Sequence, residues 1–145
     1  MATTQQTNKD IIRRLNDEVW SDGNLGLIEE FIASEYIEHN TASPQEIRGP
    51  EGYRENVKML RTAFPDMETD SEDLIAEGEK VLYYYTIHGT HEGELMGIPP
   101  TNEEVEFSGM GIARFEDGVI VEGWSVPDVF SMLQQVGLVE PPEGM

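Results

Sequence analysis

The sequence predicts an α+β fold, with helices packed on one face of a strongly curved, mostly antiparallel sheet. Three observations predict it. The first half places apolar residues at helical spacing, and the second half changes to long runs of strand formers. Gly89, Gly93, Gly97, Gly109 and Gly111 sit in or beside those strands, where they permit bends and bulges. Strong curvature turns a sheet into a cone, and a cone has a mouth with space behind it.

Asn8 or Thr7 caps the first expected helix, which carries Ile11, Ile12, Leu15 and Val19 on one stripe and ends near Trp20. Ser21-Asp22-Gly23-Asn24 breaks it, and Asn24 or Asp22 starts a short second helix with Leu25, Leu27, Ile28, Phe31 and Ile32. Tyr36 to Asn40 reads as an extended piece leading into a loop, Thr41 to Gly49. The third helix is the clearest: Pro50 suits a first helical position, Tyr53, Val57, Leu60 and Phe64 follow at helical spacing, and Pro65 stops it. Met67 to Ala76 is extended, Glu77-Gly78-Glu79 turns, and Val81 to Thr90 is rich in strand formers. Glu104 to Phe115 is another long strand. Asp117-Gly118 then marks a tight hairpin, because that pair tolerates the positive φ values a two-residue turn needs. A last helix, Asp128 to Val136, precedes Gly137 and a Pro-rich tail. One domain, 1–145, is expected, with a short flexible N-terminus over about 1–6 and a C-terminal tail over about 139–145.

Composition narrows the chemistry. Cysteine is absent, which excludes disulfides, thiolate catalysis and thiolate metal sites. There are 29 acidic against 9 basic residues, a formal net charge of -20. A surface this negative repels phosphates, so nucleic acid and anionic membranes are not expected partners. The acids are dispersed through ordinary hydrophobic content, and with only three lysines (Lys9, Lys58, Lys80) they suggest a folded protein adapted to high salt. With no signal segment and no apolar run of membrane-spanning length, a cytoplasmic location is expected.

The stretch GTHEGELMGIPPT (Gly89–Thr101) and the run RFEDGVIVEGW (Arg114–Trp124) resemble the signature half of SnoaL-like polyketide cyclases, also called ester cyclases, within the NTF2-like superfamily. The likeness extends over the helical opening that ends in Trp20, the YIEHN stretch at Tyr36 to Asn40, the GPEGYRENVKMLRTAFPD helix and LQQVG near the end. It implies an NTF2-like cone around a hydrophobic pocket, in which an Asp after the strand Trp serves as acid/base in an intramolecular aldol closure. The matching position is Asp128, four residues beyond Trp124. The histidines of GTH and YIEHN correspond to His91 and His39. At Gly123, relatives often place an acidic residue. The superfamily also contains isomerases, epoxide hydrolases, dehydratases and non-catalytic binding modules, so the fold alone does not choose the reaction.

The residues themselves leave two roles for Asp128. A carboxylate in an apolar cavity suits abstraction of an activated C–H proton. Asp is equally a preferred N-cap, here for VFSMLQQVG. His91 and His39 read either as groups that orient substrate or as histidines bonded to backbone or carboxylate. Trp124, Tyr36, Tyr53, Phe64, Tyr84, Met96, Phe107 and Met110 are expected to wall the pocket, against the general alternative of core packing. Tyr83 to Tyr85 cannot all face inward. His88, His91, Glu92 and Glu94 do not read as a metal site, because strand parity sends the two histidines to opposite faces. No phosphate loop or nucleophile elbow is present. The expectation is a cofactor-free cyclase or isomerase acting on a small hydrophobic carbonyl compound, without a metal, as a homodimer or higher homo-oligomer. The alternative is a silent module that binds a hydrophobic ligand or dimerises, and a third reading is an epoxide hydrolase or dehydratase-like activity.

Overall fold

The computed structural model describes residues 3–140; residues 1–2 and 141–145, the ends of the two expected tails, lie outside the described residues. Helix α1 (Thr4–Arg14) begins within the expected N-terminal tail, because Thr3 rather than Asn8 or Thr7 is its cap: the Thr3 hydroxyl accepts from the Gln6 N–H at 3.0 Å. Asn8 is instead buried inside the helix, where its position on the apolar stripe puts it. The helix runs on into a π-helical segment, Leu15–Ser21. The Arg61 guanidinium closes that segment by donating to the carbonyls of Trp20 and Ser21 at 2.8 and 2.7 Å, a favourable place for a cation at a helix C-terminus.

The expected second helix shrinks to a 3-10 turn, Leu25–Leu27, and one α turn, α2 (Ile28–Phe31). Ile32 opens strand β1 (Ile32–Asn40) instead, pairing with Ile120, so sheet packing overrides the local helical spacing. A two-residue strand, β2 (Ile47–Arg48), interrupts the expected loop, and α3 (Gly49–Ala63) follows with Pro at its start. Strands β3 (Glu68–Glu77), β4 (Lys80–Thr90), β5 (Glu104–Glu116) and β6 (Val119–Pro127) form the meander, and α4 (Val129–Gln135) closes the described chain. Asp117 and Gly118 turn the last hairpin with φ of 50° and 81°.

One six-stranded sheet results, in the order β2-β1-β6-β5-β4-β3. Every pairing is antiparallel except β1 with β6, which is parallel and breaks register between Ile32 and Ile37. Further register breaks interrupt β3 at Ser71/Asp73 and the β5–β6 pair at Arg114/Phe115; such bulges raise local twist and bend the sheet around the helices. The inner face joins two clusters of the core. One holds Ile12, Val19, Ile28, Val57 and Phe115 beneath α1 and α3, and the other holds Phe64, Met67, Leu95, Phe107 and Met132. Among the described residues no helix is long and apolar enough to cross a membrane.

Candidate active site

Between the helices and the inner sheet face lies a cavity of about 120 Å³. Its floor is built by strand parity. On β1, alternate residues Tyr36, Glu38 and Asn40 face inward, and the register sets Glu38 beside Gly123 and Asn40 beside Ser125 on β6. Glu38 is 6% exposed. Its Oε1 accepts from the Tyr36 hydroxyl at 2.7 Å and its Oε2 from the Asn40 amide at 2.9 Å. A carboxylate has about four acceptor sites, so two bonds fix its orientation and leave it capacity toward the cavity.

Three glycines make room for three tyrosines. A side chain at Gly123 would put its Cβ 2.7 Å from the Tyr36 hydroxyl. A side chain there would have to displace the Tyr36 hydroxyl that bonds Glu38. Across β5, Tyr83 lies over Gly111 and Tyr85 over Gly109, its cross-strand partners, and a Cβ at either glycine would overlap the phenol. The bare side of β5 is thus covered by the aromatic residues of β4. Tyr85 reaches Ser125 on β6, hydroxyl to hydroxyl at 3.3 Å. From the helical side, Tyr53 on α3 accepts the indole N–H of Trp20 at 2.7 Å, and the two rings meet edge to face. Burial, then the Glu38 charge, pushes the hydroxyls of Tyr36 and Tyr83 well above the usual phenol range. Burial raises Tyr53 as well, against the opposing Trp20 bond. These phenols keep their protons at neutral pH and stand as donors.

Of the residues singled out in the sequence, Tyr36, Tyr53, Phe107 and Met96 line the cavity. Met96, 52% exposed, stands with Met59 at the mouth. The others are placed elsewhere. Tyr84, Met110 and Trp124 have the opposite parity and face the outer side of the sheet, while Phe64 is packed in the core against His91 and Phe107. His39 shares the outer face, 5.5 Å from the Trp124 ring centroid and between Glu122 and Glu46 at 2.9 and 3.3 Å. His91 is fully buried in the β4–β5 connection, bonded through Nδ1 to Thr101 at 2.9 Å, with Nε2 unpaired among the described residues. That connection docks on the end of α3, where the N–H groups of Glu92 and Gly93 both reach the Ala63 carbonyl at 3.1 Å. His88 lies outward near Glu106, so the two histidines do not converge.

Asp128 is exposed, and its carboxylate accepts from the Ser131 N–H at 3.0 Å. It is the N-cap of α4 and is not among the residues that line the cavity. Pro127 ends the strand in the inward row of Gly123 and Ser125, and Asp128, four residues beyond Trp124, has the opposite parity, between the cavity-lining Pro127 and Val129. The acid/base assignment to Asp128, with His91 and His39 around it, does not describe one site. The buried carboxylate that the sequence reading passed over is Glu38. Its signal was present in YIEHN, where alternation puts Tyr36 and Glu38 on one face and His39 on the other.

The match to known proteins covers nearly all of this architecture. Residues 10–136 match the family described as SnoaL-like polyketide cyclase. The chain belongs to that family. Among its relatives, aklanonic acid methyl ester cyclase DnrD of Streptomyces peucetius is 32% identical over 146 aligned positions, spanning 95% of this chain and 97% of the relative. Nogalonic acid methyl ester cyclase of Streptomyces nogalater is 28% identical, over 81% and 89% of the two chains. The structure of IdmH from Streptomyces antibioticus superposes with a TM-score of 0.79 at 32% identity, covering 90% of this chain and 98% of that one. A Jannaschia sp. CCS1 structure, 22% identical, superposes at 0.86 over 97% and 98% and shares the fold. The NTF2-like α+β cone expected from the sequence is the fold of this SnoaL-like chain.

Proposed function

We propose that this chain closes a ring in a hydrophobic polyketide-type carbonyl compound by an intramolecular aldol addition, with Glu38 as the acid/base. The observation that carries the reading is a buried carboxylate, held by Tyr36 and Asn40, on the floor of an otherwise mostly apolar cavity. Glu38 takes a proton from a carbon next to a carbonyl, and the C–H electron pair becomes the enolate. The enolate carbon attacks a second carbonyl of the same molecule, forming one C–C bond and an alkoxide. The alkoxide then collects the proton that Glu38 holds. Product and substrate are isomers, so atoms and electrons balance without a co-reactant.

The relatives' names specify the methyl esters of aklanonic and nogalonic acid. A cavity of about 120 Å³ is close in size to the roughly 150 Å³ apolar cavity known to hold benzene. One ring therefore fits inside, and a larger ester inserts its reacting end while the remainder passes the mouth at Met59 and Met96. Incubation with aklanonic acid methyl ester, read as a change of retention time at constant mass, tests this directly. Glu38→Gln should lower turnover about 100-fold or more, and Asp128→Asn should leave it within about twofold, since Asn caps a helix as well as Asp. Loss of turnover in Asp128→Asn with full turnover in Glu38→Gln would return the acid/base role to Asp128.

We propose further that two copies pair through the outer sheet face, and that the acidic surface adapts the protein to high salt. The first rests on apolar residues left uncovered on that face, and the second on the net charge of -20.

A further inference from the structure

Four phenols meet the cavity, and their hydrogen bonds sort them. Tyr36 gives its proton to Glu38, and Tyr85 shares one with Ser125. The Tyr53 oxygen accepts the indole N–H of Trp20, which holds that hydroxyl on the α3 side of the cavity, away from the sheet floor, with its proton free. The Tyr83 hydroxyl has no hydrogen-bond partner among the described residues, although its side chain lines the cavity. Hydroxyl groups inside proteins are ordinarily satisfied, so an uncommitted phenolic proton facing a cavity marks where a ligand atom belongs.

The sheet register fixes the row over which that hydroxyl lies. Tyr83 pairs with Gly111, Gly111 with Ser125, and Ser125 with Asn40, so all four share one row of the sheet. The neighbouring row carries Gly123 and Glu38. Tyr85 lies across bare Gly109, and its hydroxyl, over that glycine, bonds Ser125 on β6 at 3.3 Å. Tyr83 takes the same course across Gly111, two residues along, so its hydroxyl stands over Gly111, one row from Gly123 and Glu38.

Resting on the reading of Glu38 as base, we infer that Tyr83 is the donor to the substrate carbonyl oxygen and holds the enolate that forms there. Removing the C–H proton moves a full negative charge onto that oxygen. A neutral phenol in a desolvated site stabilises this charge more than it stabilises the ground-state carbonyl, which is the condition for accelerating the step. The same donor serves the alkoxide formed after ring closure if that oxygen falls within its reach.

The test uses 4-nitrophenol as an enolate mimic and 4-nitroanisole, which cannot ionise, as its control. Binding is measured by absorbance in the Glu38→Gln variant, whose neutral amide stands in for the protonated carboxyl of the enolate stage. Adding Tyr83→Phe keeps the ring over Gly111 and removes one oxygen. The phenolate should then bind about tenfold more weakly, with 4-nitroanisole unchanged. Tyr85→Phe, whose hydroxyl is already committed to Ser125, should move phenolate affinity by less than about twofold. Equal phenolate affinity with and without the Tyr83 hydroxyl overturns the assignment, and so does a parallel loss for both probes, which would report ring packing. Turnover of Glu38→Gln tests the base separately, so failure of either assignment is seen on its own readout.

Discussion

Asp128 and Glu38 are both carboxylates bonded to N–H or O–H donors, yet they sit at opposite ends of the burial range. Asp128 is exposed and bonds the first turn of α4, whereas Glu38 is 6% exposed and bonds two side chains of its own strand. The difference predicts different losses. Asp128→Ala should cost about 1 kcal/mol of stability, the ordinary worth of an N-cap, and lower the melting temperature by roughly 2–4 °C. Asp128→Asn should melt near wild type. Thermal denaturation followed by circular dichroism checks both, and an Asn variant as unstable as the Ala variant would sink the cap assignment. The cap was legible in the sequence, since Asp precedes a helical run directly. The cavity carboxylate was legible only as parity: His39 draws the eye in YIEHN, but alternation on β1 faces Tyr36 and Glu38 inward. Which parity faces inward follows from the parallel pairing with β6, a contact between residues over eighty positions apart, and no local pattern records it.

At the scale of elements, the long regular pieces announced themselves. α3 carries Pro at its start and helical spacing throughout, and the Asp117-Gly118 turn fixes the β5–β6 hairpin with both residues at positive φ. What stayed hidden is short or decided from afar. β2 is two residues long, too short for a period, and the second helix gave Ile32 to the sheet because pairing with Ile120 outweighs local spacing. The same pairing logic exposes the outer face. Ile75, Leu82, Ile112 and Trp124 form one row across β3, β4, β5 and β6, and Tyr84, Met110 and Val126 form the next. Ile75, Tyr84, Met110 and Val126 are 62%, 40%, 46% and 58% exposed. Lys80, Arg114 and Glu122 flank the rows with charges of both signs, so a two-fold related copy can meet apolar residues with apolar residues and cation with anion. Light scattering on the eluting protein should give twice the monomer mass, and Met110→Asp should give one. A monomeric wild type would rule the pairing out.

For the whole molecule, the governing quantity is charge. Of the 9 basic residues, Arg13, Arg14, Arg48, Arg54, Lys58 and Arg114 are already within ion pairs. Arg61 is committed to two backbone carbonyls, and Lys80 lies over the Trp124 ring at 5.3 Å. Few cations are left to offset the 29 acids, so neutralisation falls to the solvent. Exposed ion pairs contribute little and weaken with salt, whereas the repulsion among the surplus carboxylates is summed over the whole surface and is relieved by salt. The second effect wins because the surplus is 20 charges while the pairs are local. Raising salt from about 0.1 M to about 1 M shortens the Debye length from roughly 10 Å to 3 Å. The apolar outer face gains too, since bringing two acidic copies together costs least when their fields are screened. Melting temperature and dimer fraction should therefore both rise with potassium chloride, and the steepest rise should come at the low end of the range, where the screening length changes most. A melting temperature that stays flat or falls between about 0.05 M and 2 M salt would show that the surface carries its charge without strain, and would remove high-salt adaptation as the reason for it.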